Sequence, residues 1–600
     1  MTTRTEPLRL WFVALILLFG MILLAYRDAP LNGFHFDDEP NITRRGSIRM
    51  QQLSWAGLQN AAVDAYLPIR VLPNLSFAVD WWRGNGDPAA FQWTNIVIHC
   101  LNALAALLLF HAVLRDPDDS QRSRSALIVA TIGAAFWALH PIQVQAVTYI
   151  VQRMAAMATL MVLLAVFSFL RGRRASTRPR AAAWFGLTLL ALLGGVLSKE
   201  NAWIAPVLLL LSEYALNRPG RPLLATGWDR ALWGVGVSAL IYVVADLSWL
   251  HGPLSDWMLA GYPLRDFTLS ERLLTQPRIL FFHVGQFLWP MPDRFSLEHE
   301  IAYSTSLLHP AATLPTLAGI AIWVALGIWA LSRPGWRRIG FWLLWFPATL
   351  VIESSAIALE MIFEHRMHMA SIGLVGLMAE GGMRLAGLRR PKRLLVMGLA
   401  WFLLVGLMAA TMSRVPTWRS NLSVYEIAVR HAPRSARVWT NYGLYLFEEG
   451  QIDAAIAAYQ RVLTLDPRSP KALENFGVLM MDQSRLDEAT DLLQRARVLY
   501  GKSPPPSLLN HMGELALARD QLLQAEGLFR DAQHRAPWNP AYDWNLAVTY
   551  ERLEQCESAH RHWLRYLARV ETGESVESVR EHLRLRYLET DGDCRQPPEN

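Results

Sequence analysis

"LWFVALILLFGMILLAYRDAPLNGFHFDDEPNI", residues 10–42, opens as an unbroken apolar run and closes on three consecutive acids, Asp37, Asp38 and Glu39. With its flanks the run is long enough to cross a hydrocarbon layer of roughly 30 Å as a helix. It follows Arg4 and Arg9, as the core of a signal peptide would. It lacks an A-x-A-like cleavage site and many further runs follow it, so it reads as a retained anchor. The acids then fall at a membrane surface, where a carboxylate serves either loop solubility or chemistry.

The rest of the chain divides in two. Of its 600 residues 52% are hydrophobic and 18% charged, against about a quarter charged in soluble domains. Residues 1–413 hold the apolar runs, whereas 414–600 have none of that length and read as water-soluble. The net charge of +6 is gathered in arginine clusters between runs, at 171–180, 217–222, 333–338 and 384–393. The positive-inside rule makes these segments cytoplasmic. Each flanks a span instead of forming a basic domain, which argues against nucleic acid as a partner.

Spans then fall near 9–26, 94–114, 125–140, 146–170, 181–198, 201–216, 231–250, 312–332, 339–353, 366–384 and 394–413, about 11 in all. Residues 272–292 tempt a further one, but it would put 333–338 outside. Their short length, Pro277 and terminal aromatics fit an interfacial helix. The N-terminus is then cytoplasmic and the C-terminal domain extracytoplasmic, periplasmic if the membrane is a bacterial inner membrane. The first external loop, 27–93, opens on the acids.

Residues 435–567 repeat with a period near 34: Gly443, Gly477, Gly513 and Ala547 mark helix A of four units. Ala455, Ala489, Ala525 and Ala559 mark helix B, and Pro467 and Pro537 punctuate two of the ends. This is the tetratricopeptide pattern, an α-solenoid whose groove suits an extended protein segment. The expected fold is therefore all-α, with a polytopic membrane domain over 1–413, a linker over 414–434, repeats over 435–567 and a cap or tail over 568–600. Cys100 sits in an apolar run as a small hydrophobe, and a Cys556–Cys594 disulfide is left open.

Ionisable groups at membrane depth are expensive and are functional or paired by default. Besides Asp37 and Asp38, the candidates are Arg70 with Tyr66 and Pro68, His99, His140, Arg153, Lys199 beside Glu200, Glu353, Glu364, His365 and Arg366. Each also has a bland reading. His99 suits a structural histidine, His140–Pro141 a helix stop, Lys199–Glu200 a neighbouring ion pair, and "DDE" a solvated loop.

Six blocks in order, "FHFDDEPNI", "IRVLPNLSFAVDWW…NIVIHCLNALAAL", "ALHPIQVQAVTYIVQRMAAMATL", "LSKENAWIAPVLLLLSEY", "LLTQPRILFFHVGQFLWP" and "ESSAIALEMIFEHRMHMASIG", followed by the repeats, resemble the transmembrane and tetratricopeptide-repeat O-mannosyltransferase family. That family falls in the GT-C class, and the chain looks like a bacterial-type member. The resemblance implies a sugar donor carried on a polyprenyl phosphate, transfer with inversion, and an extracytoplasmic acceptor, a protein or peptide hydroxyl presented by the repeats. It puts the catalytic carboxylate at Asp37 with Asp38 as its acidic neighbour. Arg366, Arg153 and Lys199 would meet the donor phosphate, and His140, Arg70, Glu364, His365 and His99 would line the pocket. The resemblance makes no cofactor certain. A divalent metal would use Asp37 and Asp38, but Gln145 stands where animal members tend to carry an acid, which argues against one. Open beside this reading are transfer to a lipid or polysaccharide, a membrane-anchored scaffold that only displays its repeats, and a transporter.

Overall fold

The computed structural model describes residues 8–64, 67, 69–116, 119–217, 258–570 and 574–584. The expected span at 231–250, Tyr66, Pro68 and Cys594 lie outside the described residues. Among these residues the regular elements are helices and no strand occurs. The chain forms two compact units, 1–427 and 428–600.

In the first unit, α1 (Leu8–Ala25) leads into the acidic loop, followed by α2 (Trp55–Val63) and α3 (Val71–Gly84). Next come α4 (Pro88–Leu114), α5 (Ser120–Ala138), α6 (Val144–Thr148), α7 (Arg153–Arg173), α8 (Arg178–Val196) and α9 (Ala205–Ser212). Beyond residue 258 the helices are α10 (Leu269–Leu288), α11 (Thr313–Ser332), α12 (Arg337–Leu350), α13 (Met367–Ala386) and α14 (Arg390–Arg414).

Six helical stretches among the described residues are long and apolar enough to cross a membrane: those of α1, α4, α7, α8, α11 and α14. Joining α5 to residues 141–148, bent by 54°, makes seven. The remaining expected spans are shorter or more polar. The 201–216 stretch yields only α9, 339–353 yields the 14-residue α12, and 366–384 yields α13, none of which meets that test.

Burial separates the helices into two kinds. In α4 and residues 150–173, 72% of the apolar window is buried inside protein, against 22% for α8 and 17% for α11 and α14. Side chains such as Leu190 and Phe402 are 66% and 73% exposed. In water each would forgo about 1.5–3 kcal/mol of burial, whereas hydrocarbon removes that loss. The outer helices are therefore the membrane-facing ones, and α4 with α7 forms the core.

Close packing inside the unit is visible between α12 and α13. A Cβ added at Gly373 would lie 2.9 Å from the Trp342 carbonyl, and one at Gly376 would fall 2.2 Å from the Trp342 ring. Only glycine admits that approach.

Residues 272–292, expected as an interfacial helix, form most of α10. One face of α10 is polar and buried, with Arg272, Gln276, His283 and Gln286 turned inward. Arg272 donates to the carbonyls of Glu353 (2.6 Å), Leu359 (2.6 Å) and Ser355 (2.9 Å), so it staples the 353–361 loop. Residues 414–434, expected as a linker, are mostly helical, with α15 over Asn421–His431.

The second unit contains the helix pairs α16 (Ala436–Glu448) and α17 (Ile452–Leu465), then α18 (Pro470–Asp482) and α19 (Leu486–Tyr500). The pairs α20 (Pro506–Ala518) and α21 (Leu522–Arg535), then α22 (Pro540–Arg552) and α23 (Cys556–Leu567), continue the series, and α24 (Glu574–Leu583) follows. The periodic small residues explain themselves. A Cβ at Gly443, Gly477 or Gly513 would meet Tyr459, Leu493 or Phe529 of the paired helix at 3.0, 2.8 and 2.5 Å. The four periodic alanines of helix B are fully buried.

Candidate active site

After α1 the chain is tied to residues 415–421. Asn32 Nδ2 donates to the Val415 carbonyl (3.1 Å) and the Gly33 N–H to that of Arg419 (3.3 Å). The two ring nitrogens of His35 lie 2.6 Å from the Trp418 carbonyl and 2.8 Å from Asn421 Oδ1. Phe36 then adopts a φ of 43°, a left-handed conformation costly for a residue with a Cβ. Its ring is edge-on to Tyr149 and Tyr425.

That reversal gives the two aspartates different environments. Asp38 is fully buried, with Oδ2 accepting the His35 N–H and Oδ1 accepting the Val151 N–H, both at 2.7 Å. Burial pushes its carboxyl up to about 8, against the pull of those two N–H donors. Asp37 is exposed, and its own N–H donates to the Tyr149 hydroxyl at 2.9 Å. Both Asp38 oxygens are thus turned to backbone donors, and only Asp37 is open to solvent. Among the described residues no group of three or more His, Cys, Asp or Glu is placed to hold a metal ion.

The short turn Tyr149–Arg153 holds the rest together. Tyr149 meets Asp37, Val151 meets Asp38, and the Gln152 side-chain oxygen lies 3.5 Å from Lys199 Nζ. Lys199 in turn lies 3.5 Å from Glu353, whose other oxygen is 4.0 Å from Arg366 Nε. Arg70 grips Glu200 with two bonds of 2.9 and 3.2 Å. Lys199, Arg366 and Arg70, far apart in the chain, thus share one neighbourhood with Glu353 and Glu200. Burial pulls the Lys199 amine below its usual pKa, against Glu353, which favours the ammonium.

Several expected site residues serve the scaffold instead. Arg153 is fully buried and wholly engaged: it pairs with Asp80 (2.6 Å) and donates to Asn95 Oδ1 (2.6 Å), the Phe91 carbonyl (2.8 Å) and Ser76 Oγ (3.0 Å). With its side chain fully buried among these four partners, it is not open to a phosphate. His140 is also buried; its Nδ1 accepts the Ile142 N–H at 3.1 Å, its Nε2 donates to the Phe287 carbonyl at 2.9 Å, and its ring stacks on Phe287. It is a helix cap. His99 is enclosed by Tyr26, Trp137 and His368, with Nε2 on the Ala138 carbonyl. Glu364 is buried on Arg414, the Ser296 N–H (2.8 Å) and His299 (3.4 Å). Burial raises its pKa, but Arg414 and these donors more than offset that and hold it below the carboxylate norm. His365 is buried, stacked on Phe363, and its N–H donates to Gln145 Oε1 at 2.7 Å. None of these five faces an open site.

Sequence reasoning missed Tyr149, Gln152 and Arg272. The first two are neutral and carry no charge signal. Arg272 stood in a segment read only for its apolarity, although an arginine recurring with Gln276, His283 and Gln286 at helical spacing was the available sign.

A tetratricopeptide-repeat family pattern matches residues 443–484. The repeats are tetratricopeptide repeats. Human protein O-mannosyl-transferase TMTC1 is 25% identical over 460 residues, 68% of this chain and 48% of its own length. Mouse protein O-mannosyl-transferase TMTC3 is 22% identical over 479 residues, covering 74% and 50% respectively. The chain thus spans about half the length of the curated relatives it matches. A solved structure of pilF from Pseudomonas aeruginosa overlaps 32% of this chain and 90% of its own, at 16% identity and a TM-score of 0.24.

Proposed function

We propose that this protein is a membrane glycosyltransferase that moves a sugar from a polyprenyl-phosphate donor to a hydroxyl of an extracytoplasmic protein acceptor. The observation that carries the reading is the division of labour in the acid pair. Asp38 is immobilised between two backbone N–H donors, and it presents Asp37, exposed, beside the turn that also contacts Lys199. The likeness to O-mannosyl-transferases supports the same chemistry.

In this reading the acceptor oxygen attacks the anomeric carbon as the carbon–oxygen bond to the phosphate breaks on the opposite face. The acceptor proton passes to the Asp37 carboxylate, and the bonding pair leaves with the phosphate. Inversion follows from that geometry. Lys199 receives the phosphate, since neither of its two contacts is closer than 3.5 Å whereas Arg70 and Arg366 each also hold shorter hydrogen bonds, and these two arginines add positive potential beside it. Their carboxylate partners hold the cations in place before donor arrives. The tetratricopeptide repeats hold the acceptor chain.

The test compares Asp37→Asn and Lys199→Met with the parent, in membranes, at matched protein level. Asp37→Asn should lower transfer by about 10²–10⁴-fold with donor binding retained. Lys199→Met should weaken donor binding instead. Unchanged glycan on cellular acceptors in Asp37→Asn would overturn the reading and leave a repeat-displaying scaffold.

A further inference from the structure

Helices α5, α13 and α14 meet at one end, where Thr411 of α14 donates to the Leu139 carbonyl after α5 and Arg414 pairs with Glu364 just before α13, and Arg414 leads into the 415–418 segment that holds His35 of the acidic loop. Their opposite ends enclose a groove with two contiguous parts. The outer part, about 590 Å³, is polar and is lined by Arg122, Arg338, Arg384, Glu380 and Asp119 among others. The inner part, about 680 Å³, runs between α5, α13 and α14 past Ile128, Val129, Met397 and Leu403 and is almost wholly apolar. Ser125 and Ala386 line both, so one opening continues into the other.

The charges are arranged for a phosphate. Arg338 has no ion pair or hydrogen bond among the described residues, and its charge acts on Glu380. Arg384 lies over the Trp336 ring at 5.7 Å and, like Arg338 and Arg122, its charge acts on Glu380. Arg122 is 3.7 Å from Asp116 across an exposed gap. Asp119 is occupied as a helix cap, accepting the N–H groups of Gln121 and Arg122 at 2.9 Å. Glu380 has a buried oxygen, Oε1, without a hydrogen-bond partner. Three cations, one orphaned acceptor and an apolar channel beside them describe a headgroup that carries phosphate and donates a hydroxyl, attached to acyl chains. Basic pockets between membrane helices are sites of this type.

We propose that this groove binds one anionic glycerophospholipid, its phosphate on Arg338, Arg384 and Arg122, a headgroup hydroxyl on Glu380 Oε1, and an acyl chain between α5 and α14. The site lies at the far end of the bundle from Asp37 and is independent of the transferase reading. Seated there, the lipid fills a gap that α5, α13 and α14 leave between them.

The test uses the full chain, purified and delipidated in detergent, titrated with phosphatidylglycerol and phosphatidylethanolamine and read by native mass spectrometry. Phosphatidylglycerol should bind at 1:1 and more tightly than phosphatidylethanolamine. Arg338→Ala and Arg384→Ala should each weaken it about fivefold, the contribution expected of one arginine near a lipid phosphate. Ala400→Trp, which fills the apolar part without touching the arginines, should abolish it, so the proposal stays testable if an arginine variant fails to fold. Equal binding of phosphatidylethanolamine, or phosphatidylglycerol binding unchanged in Ala400→Trp, would overturn the proposal. Displacement by polyprenyl phosphate at a lower concentration would also overturn it, by naming a different occupant.

Discussion

Asp37 and Asp38 are adjacent, yet only one can meet an acceptor. The left-handed turn at Phe36 lets the chain pin Asp38 inward while Asp37 stays at the surface. This has a thermodynamic signature. Asp38 ionises near 3.8 in an unfolded chain and near 8 in the folded protein. Between these values the folded state holds the extra proton, so stability falls as pH rises from about 4 to about 8 and levels off beyond. Unfolding midpoints in detergent at pH 5 and pH 8 should show that decline, and Asp38→Asn should flatten it. An equal slope in the variant would mean that another group is titrating. Asp38→Asn should also lower stability by about 1–3 kcal/mol, because an amide nitrogen would face a backbone N–H.

At the scale of elements, Tyr149–Arg153 matters more than any one helix. Arg153 locks this turn to α3 and α4 through Asp80 and Asn95. Arg153→Ala should cost about 1–3 kcal/mol, since it leaves Asp80 Oδ2 without its cation while Arg83 and Thr94 still hold Oδ1. The double change with Asp80→Ala should recover part of that loss, and denaturation of the four proteins in detergent measures the coupling. If the two single losses simply add, the pair is not the lock. The same turn shows what sequence could and could not reveal. Arg153 was conspicuous as a charge in an apolar context, so its importance was legible. Its role was not, because its partners come from Ser76, Asp80, Phe91 and Asn95, and nothing local announces that these converge. Lys199 and Arg366 were legible on the same ground of charge, whereas Glu353 as the bridge between them required three-dimensional packing. His140 and His99 show the reverse error, since a polar ring in an apolar run looks functional until its hydrogen bonds are counted. The repeats were fully legible because close packing writes small residues at a fixed period.

At the scale of the whole molecule, the two units have different solvents. The first presents leucine, tryptophan and phenylalanine to lipid, and the second packs a conventional core of buried alanines and aromatics. Residues 428–600 expressed alone should therefore be soluble, helical and cooperative in thermal unfolding followed by circular dichroism. Under the proposed function, residues 1–427 should keep donor binding and lose transfer to protein acceptors. Retention of full transfer by the truncated chain would assign acceptor recognition to the membrane unit. The expectation of about 11 spans came from counting apolar runs. The structure shows why counting runs is coarse: α9, α12 and α13, which cover three of those runs, are too short or too polar to cross a membrane by length and composition.

The acidic loop is held by residues some hundred positions or more away: Tyr149 and Val151 on one side, Trp418 and Asn421 on the other. It is therefore not a portable cassette. Grafted onto another membrane anchor, residues 33–42 would carry the carboxylates but not the left-handed turn that points them apart, and both acids would be free to face water. Exchanging this loop between relatives should work only when the 149–153 and 415–421 segments travel with it.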